Sequence, residues 1–291
     1  MSHIPVLLQE VINALDPKPG EFFIDGTLGG GGHAEEIIKR LGKKGIFLGL
    51  DWNKKAAEEF QKKTKDSETR IIVAPRNFAE LPEIIKEYNL PKADGLLLDL
   101  GFSSFELEEG RGFSFLKDEP LLMTYSDESV PLWMALRDLS QEEIYRIVRG
   151  SGERFAGKIS EAIFRAERKG PVKTTGELVR IIEGNAPKNY ERGRIHPATR
   201  TFLAFRLYVN RELDNLRQIS SRLAEIVSPG GRIAVITFQS LEDRIVKESF
   251  REMQKAGTAE AINKKPIVPG RREIIDNPRA RSAKLRAIKI S

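Results

Sequence analysis

Residues 22–33 read Phe-Phe-Ile-Asp-Gly-Thr-Leu-Gly-Gly-Gly-Gly-His, and this stretch decides the fold. An apolar run of strand length ends at Asp25, four consecutive glycines follow, and a helical pattern begins directly after His33. A strand, a glycine-rich loop and a helix in this order are how α/β folds bring backbone close to a nucleotide-like ligand. The stretch therefore predicts an α/β domain with a cofactor site at the glycine loop.

A second acidic residue lies one strand-helix unit downstream. Residues 46–51, Ile-Phe-Leu-Gly-Leu-Asp, read as a buried strand that ends in Asp51. A carboxylate at the end of this strand can accept two hydrogen bonds from a ribose diol. In the alternative interpretation Asp51, reinforced by Asn53, only caps the following helix. The ribose interpretation predicts a cofactor that contains adenosine.

Strand and helix patterns alternate through the first hundred residues. The strands fall near 21–25, 45–51, 70–74 and 93–99, with helices near 33–41, 53–64 and 78–88 between them. Such alternation predicts a parallel sheet with right-handed crossovers. The sheet pattern resumes later in the chain. It consists of a turn at Pro229-Gly230-Gly231, a strand over Arg232–Thr237, a helix over 241–255 and a final strand near 283–290.

The region between these two parts has no strand pattern. Capping-box spacings at Ser140–Glu143 and Thr174–Glu177 each predict a helix start, and Pro197 suits the first turn of a helix running to about Leu216. We expect an α/β domain formed by residues 1–103 plus 199–291, interrupted by an all-helical insertion over residues 104–198.

Composition narrows the class of protein. A hydrophobic content of 40% with 31% charged residues is typical of a soluble globular chain, and no apolar run approaches a membrane span. The start of the chain lacks a signal-peptide pattern, so we expect a cytoplasmic protein. Cysteine is absent, and three scattered histidines do not indicate a metal site.

Positive charge is concentrated at one end of the chain. Residues 264–291 contain nine Lys or Arg and two acidic residues, a net +7, whereas the whole chain carries +6. A solvated tail and a contact surface for nucleic-acid phosphates both fit this distribution.

Two cofactors compete for the glycine loop. The dinucleotide fingerprint can be placed on Gly29, Gly31 and Ala34, which would indicate an oxidoreductase. An S-adenosylmethionine loop instead uses an acid at the strand end followed by alternating glycines. Here these positions are Asp25, Thr27, Gly29 and Gly31, with Thr27 where glycine is more usual. Asn77-Phe78 after the third strand places an amide and an aromatic ring where adenine would lie, which favours the methyl donor.

The fourth strand ends in Asp99-Leu-Gly-Phe102. This has the spacing of the Asp-Pro-Pro-Tyr/Phe tetrapeptide of methyltransferases that modify exocyclic amines of bases, without its prolines. A base amine is a poor nucleophile, so an acceptor such as Asp99 would orient it and stabilise charge developing on nitrogen. Phe102 would stack on a base taken out of its helix. In the competing interpretation Asp99 only binds cofactor and Phe102 packs in the core.

At these residues the chain resembles the MraW family, S-adenosylmethionine-dependent methyltransferases of N4 of a cytidine in small-subunit ribosomal RNA. The motifs that carry the resemblance span nearly the whole chain: His3-Ile-Pro-Val-Leu, Asp25–His33, Asp99-Leu-Gly-Phe-Ser-Ser104, Arg111-Gly-Phe-Ser-Phe115, His196-Pro-Ala-Thr-Arg-Thr201, Ser240-Leu-Glu-Asp-Arg244 and Asn277–Arg286. The resemblance implies a class I methyltransferase fold whose helical insertion recognises substrate.

The resemblance also implies site residues. Together with Gly29 from the loop pattern, the implied cofactor contacts are Gly31, Gly32, His33, Asp51, Phe78, Asp99 and Glu106. The candidate catalytic residues are Asp99 and Phe102. The candidate contacts to the RNA are Arg111, His196, Arg200, Gln239, Arg244, Arg279 and Arg281, with an N-cap as the competing role of His196. No metal is required, and the oligomeric state is not indicated.

The chain departs from the family pattern at three places. Phe105-Glu106 replaces Pro-Gln, Leu-Met-Thr-Tyr over residues 122–125 replaces Asp-Met-Arg-Met, and Gln239 replaces histidine. Since an amide cannot act as a general base, Gln239 cannot take over a proton-transfer role of that histidine. A dinucleotide-dependent oxidoreductase and a non-catalytic RNA-binding protein are the alternative functions.

Overall fold

The computed structural model describes residues 5–101, 109–193 and 195–291. Contacts divide the chain into two compact units, residues 1–104 with 213–291 and residues 105–212. Helix and strand bounds below refer to the described residues.

The first unit is built on a seven-stranded sheet in the order β3-β2-β1-β4-β5-β7-β6. The strands are β1 (Phe22–Asp25), β2 (Ile46–Leu50), β3 (Arg70–Ala74), β4 (Ala93–Asp99), β5 (Val227–Thr237), β6 (Ala259–Ala261) and β7 (Lys284–Ile290). β1 to β5 run parallel, and β7 pairs antiparallel with both β5 and β6. This mostly parallel sheet confirms the predicted α/β class, whereas β6 was not predicted.

Helices cover both faces of the sheet. Side chains from α1 (Leu8–Leu15), α2 (Gly32–Leu41) and α3 (Lys54–Lys63) pack in one core, together with Phe23 and Phe47. The second core contains side chains from the strands, from α4 (Leu81–Glu87) and from the helices Glu212–Ser220, Leu223–Ile226 and Ser240–Lys255. Successive strand residues such as Phe22 and Phe23 belong to different cores, as the two-residue period of a strand requires. A short helix, Arg271–Asp276, and a 3-10 turn, Pro278–Ser282, precede β7.

The second unit is helical in its described part. Its helices are Leu132–Asp138, Gln141–Gly150, Ala156–Lys169, Thr175–Asn185 and Ala198–Val209, with a 3-10 turn at Tyr190–Gly193. Both predicted capping boxes are present, since Ser140 and Thr174 accept from the backbone N–H groups of Glu143 and Glu177.

The end of the insertion differs from the prediction. Residues up to 212 cluster with the helical unit, whereas the sequence placed the boundary after residue 198. Ala198, Phe202 and Phe205 pack in the core of the second unit, so their helix belongs there. The predicted single helix to Leu216 is also wrong, because the chain turns at Arg211, whose φ is +49°.

Candidate functional site

Three aspartates lie at the carboxyl edge of neighbouring strands. Asp25 at the end of β1 is paired in register with Gly49 of β2 and Leu97 of β4. Asp51 and Asp99 each lie two residues beyond these partners, so both flank Asp25 one step further along the edge. Ligands of open α/β sheets bind at the carboxyl ends of the strands.

Asp25 braces the loop that follows it. Its side chain is 1% exposed, and Oδ1 accepts a 3.0 Å hydrogen bond from the backbone N–H of Thr27. Burial raises the pKa of Asp25 to about 6, although the Thr27 bond and the neighbouring His33 act in the opposite direction. The carboxyl group of Asp25 therefore braces the backbone of the glycine loop.

The last two glycines of the loop are required by the protein itself. Gly31 has φ +76°, and a Cβ there would lie 2.5 Å from the ring of Phe60. A Cβ on Gly32 would overlap the ring of Pro5. The sequence attributed these glycines to the space a ligand needs, whereas here neighbouring side chains already exclude a larger residue.

Asp51 holds the glycine loop to the end of β2. Its Oδ2 accepts a 2.8 Å hydrogen bond from the backbone N–H of Gly29, and Oδ1 accepts one of 2.8 Å from Asn53. Asn53 is the residue that caps α3, because its side chain accepts from Lys55 and Ala56. Asn53 is therefore the N-cap of α3, and the partly exposed carboxylate of Asp51 connects the glycine loop to the backbone of Asn53.

Asp99 has an unused acceptor. Its side chain is 16% exposed, and Oδ1 is buried without a hydrogen-bond partner among the described residues. Burial raises the pKa of Asp99 to about 7, while the backbone N–H of Gly101 acts in the opposite direction. A buried acceptor without a partner is costly, so the site is suited to a ligand that brings a donor.

His33 lies in the first turn of α2 and is 6% exposed. Its Nε2 is 2.9 Å from the carbonyl oxygen of Val6, and its Nδ1 is 3.7 Å from Oδ2 of Asp99. Burial lowers the pKa of His33, so the ring is neutral near pH 7. The ring therefore connects the glycine loop with Asp99 and does not cap its own helix.

Phe78 follows β3 and is partly buried against the core that also contains α4. Its Cβ is 3.1 Å from the position a Cβ on Gly26 would occupy, so Phe78 lies beside the beginning of the glycine loop. Asn77 caps the 3-10 turn Phe78–Glu80, and its Oδ1 accepts from the N–H of Ala79. The amide oxygen predicted to face adenine thus has a structural partner.

The turn after β5 carries residues that the sequence analysis missed. Glu242 is 2% exposed, and its Oε2 accepts hydrogen bonds from the backbone N–H groups of Phe238 (3.0 Å) and Gln239 (3.2 Å). This fixes the turn at the start of the helix Ser240–Lys255, in which Oε1 of Gln239 is buried. β5 neighbours β4, and Leu100 donates to Ile236, so this turn follows the same edge as Asp99.

Asp243 was also missed. It accepts hydrogen bonds from Nζ of Lys284 (3.0 Å) and Nε of Arg286 (2.7 Å), which anchors β7 beside the turn after β5. Burial alone would raise the pKa of Asp243, but the bonds from Arg286 and Lys284 outweigh it and lower the pKa below its usual value. The motif Ser240–Arg244 contained both acids, but only their positions in the fold reveal their partners.

Three of the predicted RNA contacts are exposed on the first unit. Arg244 lies on the helix Ser240–Lys255, and Arg279 and Arg281 lie in the 3-10 turn Pro278–Ser282. Ala280 between the last two is fully buried, which anchors the turn and turns its arginines outward.

Arg111 in the helical unit uses its guanidinium internally. Nε donates to the carbonyl of Thr124 (2.7 Å), Nη2 donates to the Thr124 hydroxyl (2.8 Å) and the Ser126 carbonyl (3.2 Å), and Nη1 binds Asp127. The side chain is 13% exposed. This geometry favours a structural role over the predicted phosphate contact.

Arg200 and His196 also have partners within the helical unit. Arg200 binds Glu191 and lies 3.5 Å from the hydroxyl of Tyr190. His196 accepts from the N–H of Ala198 at 3.1 Å and stacks on Phe115 with ring centroids 4.7 Å apart. His196 therefore accepts from the first backbone N–H of the helix, although the N-cap residue itself is Pro197.

Two predicted residues, the catalytic Phe102 and the cofactor contact Glu106, lie outside the described residues. Within the described ranges, no cluster of three or more acidic, His or Cys side chains has an arrangement that could hold a metal ion. No helix in the part of the chain that the structure describes combines the length and apolar character that crossing a membrane requires.

The donor and acceptor set fits S-adenosylmethionine better than a dinucleotide. Asp25, Asp51 and Asp99 make the edge rich in carboxylates, which would repel a pyrophosphate when ionised. A sulfonium and an ammonium group would be attracted by the same carboxylates. Asp51 would hold the ribose. Oδ1 of Asp99, which has no partner among the described residues, would face the group that reacts.

Comparison with known proteins also leads to methyltransferases. The chain matches the MraW methylase family over residues 1–291. The ribosomal RNA small subunit methyltransferase H of Syntrophotalea carbinolica is 42% identical over 307 residues, covering 99% of this chain and 97% of that protein. The protein of the same name from Clostridium botulinum is 39% identical over 302 residues, covering 98% and 97%.

With this match, the sheet order identifies the first unit as a class I methyltransferase domain and excludes the oxidoreductase alternative. The chain belongs to the MraW methylase family, and its methyl donor is S-adenosylmethionine.

Proposed function

We propose that the protein methylates N4 of a cytidine in the ribosomal RNA of the small subunit, in the cytoplasm. The observation that carries this proposal is Oδ1 of Asp99 at the carboxyl end of β4, which is buried and has no hydrogen-bond partner among the described residues. An exocyclic amino group supplies an N–H donor for that acceptor, whereas a ring nitrogen without hydrogen or a carbonyl does not.

The chain's own residues would orient the amine. The bound cofactor supplies a methyl group already activated by a sulfonium. Asp99 would accept one amine N–H, hold the nitrogen in line and stabilise positive charge that develops there. Gln239, in the turn after the neighbouring strand β5, would place a neutral amide near the base, and Phe102 would stack on the extruded base.

The remaining surfaces would hold RNA. The basic segment 264–291, with its exposed Arg279 and Arg281, is suited to phosphate contacts. The helical unit, residues 105–212, would recognise the substrate. The names of the curated relatives, which specify small-subunit ribosomal RNA, support this choice of nucleic acid.

The test is incubation of the full chain with isotope-labelled methyl donor and purified small subunits or their naked RNA. We expect label in RNA, and nucleoside mass spectrometry should assign it to N4-methylcytidine. Label in another nucleoside, in protein or nowhere would contradict the proposal. Comparison of the two substrates identifies the form of RNA that is used.

Asp99→Ala separates an enzyme from an RNA-binding protein that retains a methyltransferase fold. Alanine removes the oxygen that would accept from the amine, so we expect methyl transfer to fall at least a hundredfold while RNA affinity is retained. Asp66→Ala, at an exposed position after α3, is the matched control. Wild-type RNA binding without any transfer would favour the non-catalytic alternative.

A further inference from the structure

Protein groups face both ring nitrogens of His33. Nε2 is 2.9 Å from the carbonyl oxygen of Val6, and Nδ1 is 3.7 Å from Oδ2 of Asp99. Both side chains are largely buried, so solvent does not freely replace either contact. The two contacts together decide where a proton can reside.

The contact with Val6 fixes the tautomer. A backbone carbonyl oxygen only accepts, so Nε2 must carry hydrogen. In a neutral ring Nδ1 then has a lone pair, and this lone pair faces Oδ2 of Asp99. Two lone pairs facing each other in a buried place are unfavourable, unless a proton lies between Nδ1 and Oδ2.

We propose that His33 is a positioning residue that keeps a proton on Oδ2 of Asp99 and thereby leaves Oδ1 as the atom that accepts from the substrate. The distance of 3.7 Å is longer than a hydrogen bond, but contacts of this kind often tighten when ligands bind. Oδ2 faces Nδ1 of His33, whereas Oδ1 has no partner among the described residues, so the two oxygens have different roles.

Burial supports the neutral form of the pair. It raises the pKa of Asp99 and lowers the pKa of His33, and both directions place the proton on the carboxyl group rather than on the imidazole. The other charged groups that act on the ring are Asp25 and Glu273, which favour the imidazolium but do not outweigh burial.

The contact with Val6 is itself supported from a distant part of the chain. The backbone N–H of Leu7 donates a 2.7 Å hydrogen bond to Oε1 of Glu273. Val6 and Leu7 are 5% and 1% exposed, so this segment is packed as well as hydrogen-bonded. The carbonyl that selects the tautomer is therefore held in place.

Two conservative variants separate the two nitrogens of His33. His33→Gln keeps a donor near the position of Nε2 but loses the acceptor at Nδ1. His33→Asn places its Oδ1 near the position of Nδ1 but loses the bond to Val6. The carboxyl ¹³C signal of Asp99, assigned with Asp99→Asn in the cofactor-free full chain, reports the titration.

We expect the wild-type carboxyl group to titrate near pH 7. In His33→Gln the midpoint should be about one pH unit lower, because the protonated carboxyl loses its acceptor. In His33→Asn it should remain near the wild-type value. Glu36→Gln, on the outer side of α2, should leave it unchanged. A midpoint in His33→Gln that is equal to or higher than the wild type would overturn the proposal.

If His33→Gln does not fold, ¹⁵N spectra of the wild type decide the question. We expect Nε2 protonated and Nδ1 unprotonated at pH 6. The opposite tautomer, or an imidazolium with both nitrogens protonated, would contradict the proposal.

The assignment of Oδ1 to a substrate amine rests on the proposed function, whereas the titrations do not require RNA. A normal titration pattern without N4-methylcytidine would refute the function alone. Methylation of cytidine with an unchanged midpoint in His33→Gln would refute the role of His33 alone.

Discussion

The side-chain hydroxyl of Thr27 accepts a 2.6 Å hydrogen bond from the backbone N–H of Asp99. The bond joins residues 72 positions apart and ties the glycine loop after β1 to the end of β4. Methyl-donor loops more commonly have glycine at this position, and glycine could not provide the acceptor. The threonine thus fixes the backbone of the residue that we assign to the substrate amine.

Replacing Thr27 with valine should weaken this connection. The isosteric valine leaves the buried N–H of Asp99 without an acceptor, which costs about 1–3 kcal/mol of unfolding free energy. Thr27→Ser keeps the hydroxyl and should lose far less. Urea denaturation of the three proteins measures the difference, and equal losses in valine and serine variants would show that the bond contributes nothing.

Asp51→Asn should weaken cofactor binding more than folding. An amide has one acceptor oxygen where the carboxylate serves both Gly29 and Asn53, and its NH₂ would face a donor. We expect a 10- to 100-fold higher Kd for S-adenosylmethionine by calorimetry, roughly 1.4–2.8 kcal/mol. Asp66→Asn is the control, and a Kd unchanged by Asp51→Asn would exclude Asp51 from the ribose site.

Stability of the cofactor-free protein should fall as pH rises through the neutral range. The folded-state pKa values of Asp25 and Asp99, about 6 and about 7, lie above the ordinary value of 3.8, so the native state retains protons that the unfolded chain releases. The resulting stability is complete below about pH 4 and is lost as pH approaches 7.

Asp99→Asn removes one of these groups. The free energy of unfolding of the variant, relative to that of the wild type, should therefore be higher at pH 8 than at pH 5. The gain is about 3 kcal/mol at most, because roughly two pH units lie between pH 5 and a pKa of about 7, at 1.4 kcal/mol each. His33 titrates in the opposite sense, but both proteins retain it. Urea midpoints at the two pH values measure the effect, and the same difference at both would contradict the raised pKa.

Arg279→Ala with Arg281→Ala should reduce the salt dependence of RNA binding. Each phosphate contact contributes close to one to the slope of log affinity against log salt, so the double variant should lower the slope by up to about two. Lys43→Ala, at the opposite edge of the sheet, should leave it unchanged. An unaltered slope would mean that these arginines face solvent in the complex.

Arg111→Ala should act on stability, and Arg244→Ala should not. Arg111 donates to the carbonyl groups of Thr124 and Ser126, which would lose their partner inside the helical unit. We expect a loss of about 2 kcal/mol or more in unfolding free energy. Arg244 is exposed, and its removal should affect only RNA binding. Thermal unfolding together with RNA titration distinguishes the two roles.

The sequence predicted those parts of the site that follow from strand ends. Asp51 and Asp99 each end an apolar run of strand length, and parallel strands bring such ends to one edge. From the sequence alone, the internal role of Arg111 could not be distinguished from the exposed position of Arg281, because both residues are arginines. Their roles depend on which backbone carbonyls the fold places within reach.

Boundaries were harder to predict than elements. The sequence continues a helical pattern through Asn210, but its side chain is fully buried and donates to the carbonyl of Met123 at 2.7 Å. This contact between residues 87 positions apart stabilises a turn that local propensity does not indicate. The boundary between the two units differs from the predicted one for the same reason. Only the packing of Phe202 and Phe205 shows that their helix belongs to the helical unit.

The hydrogen bond between Leu7 and Glu273 has a consequence for biosynthesis. The two residues are 266 positions apart, so at 5–20 residues per second the ribosome makes the second on the order of tens of seconds after the first. Val6 and His33 receive their final support only when this late segment docks. A nascent chain would therefore acquire this support for its methyl-donor site only after residue 273 has been made, and termination before residue 273 would abolish it.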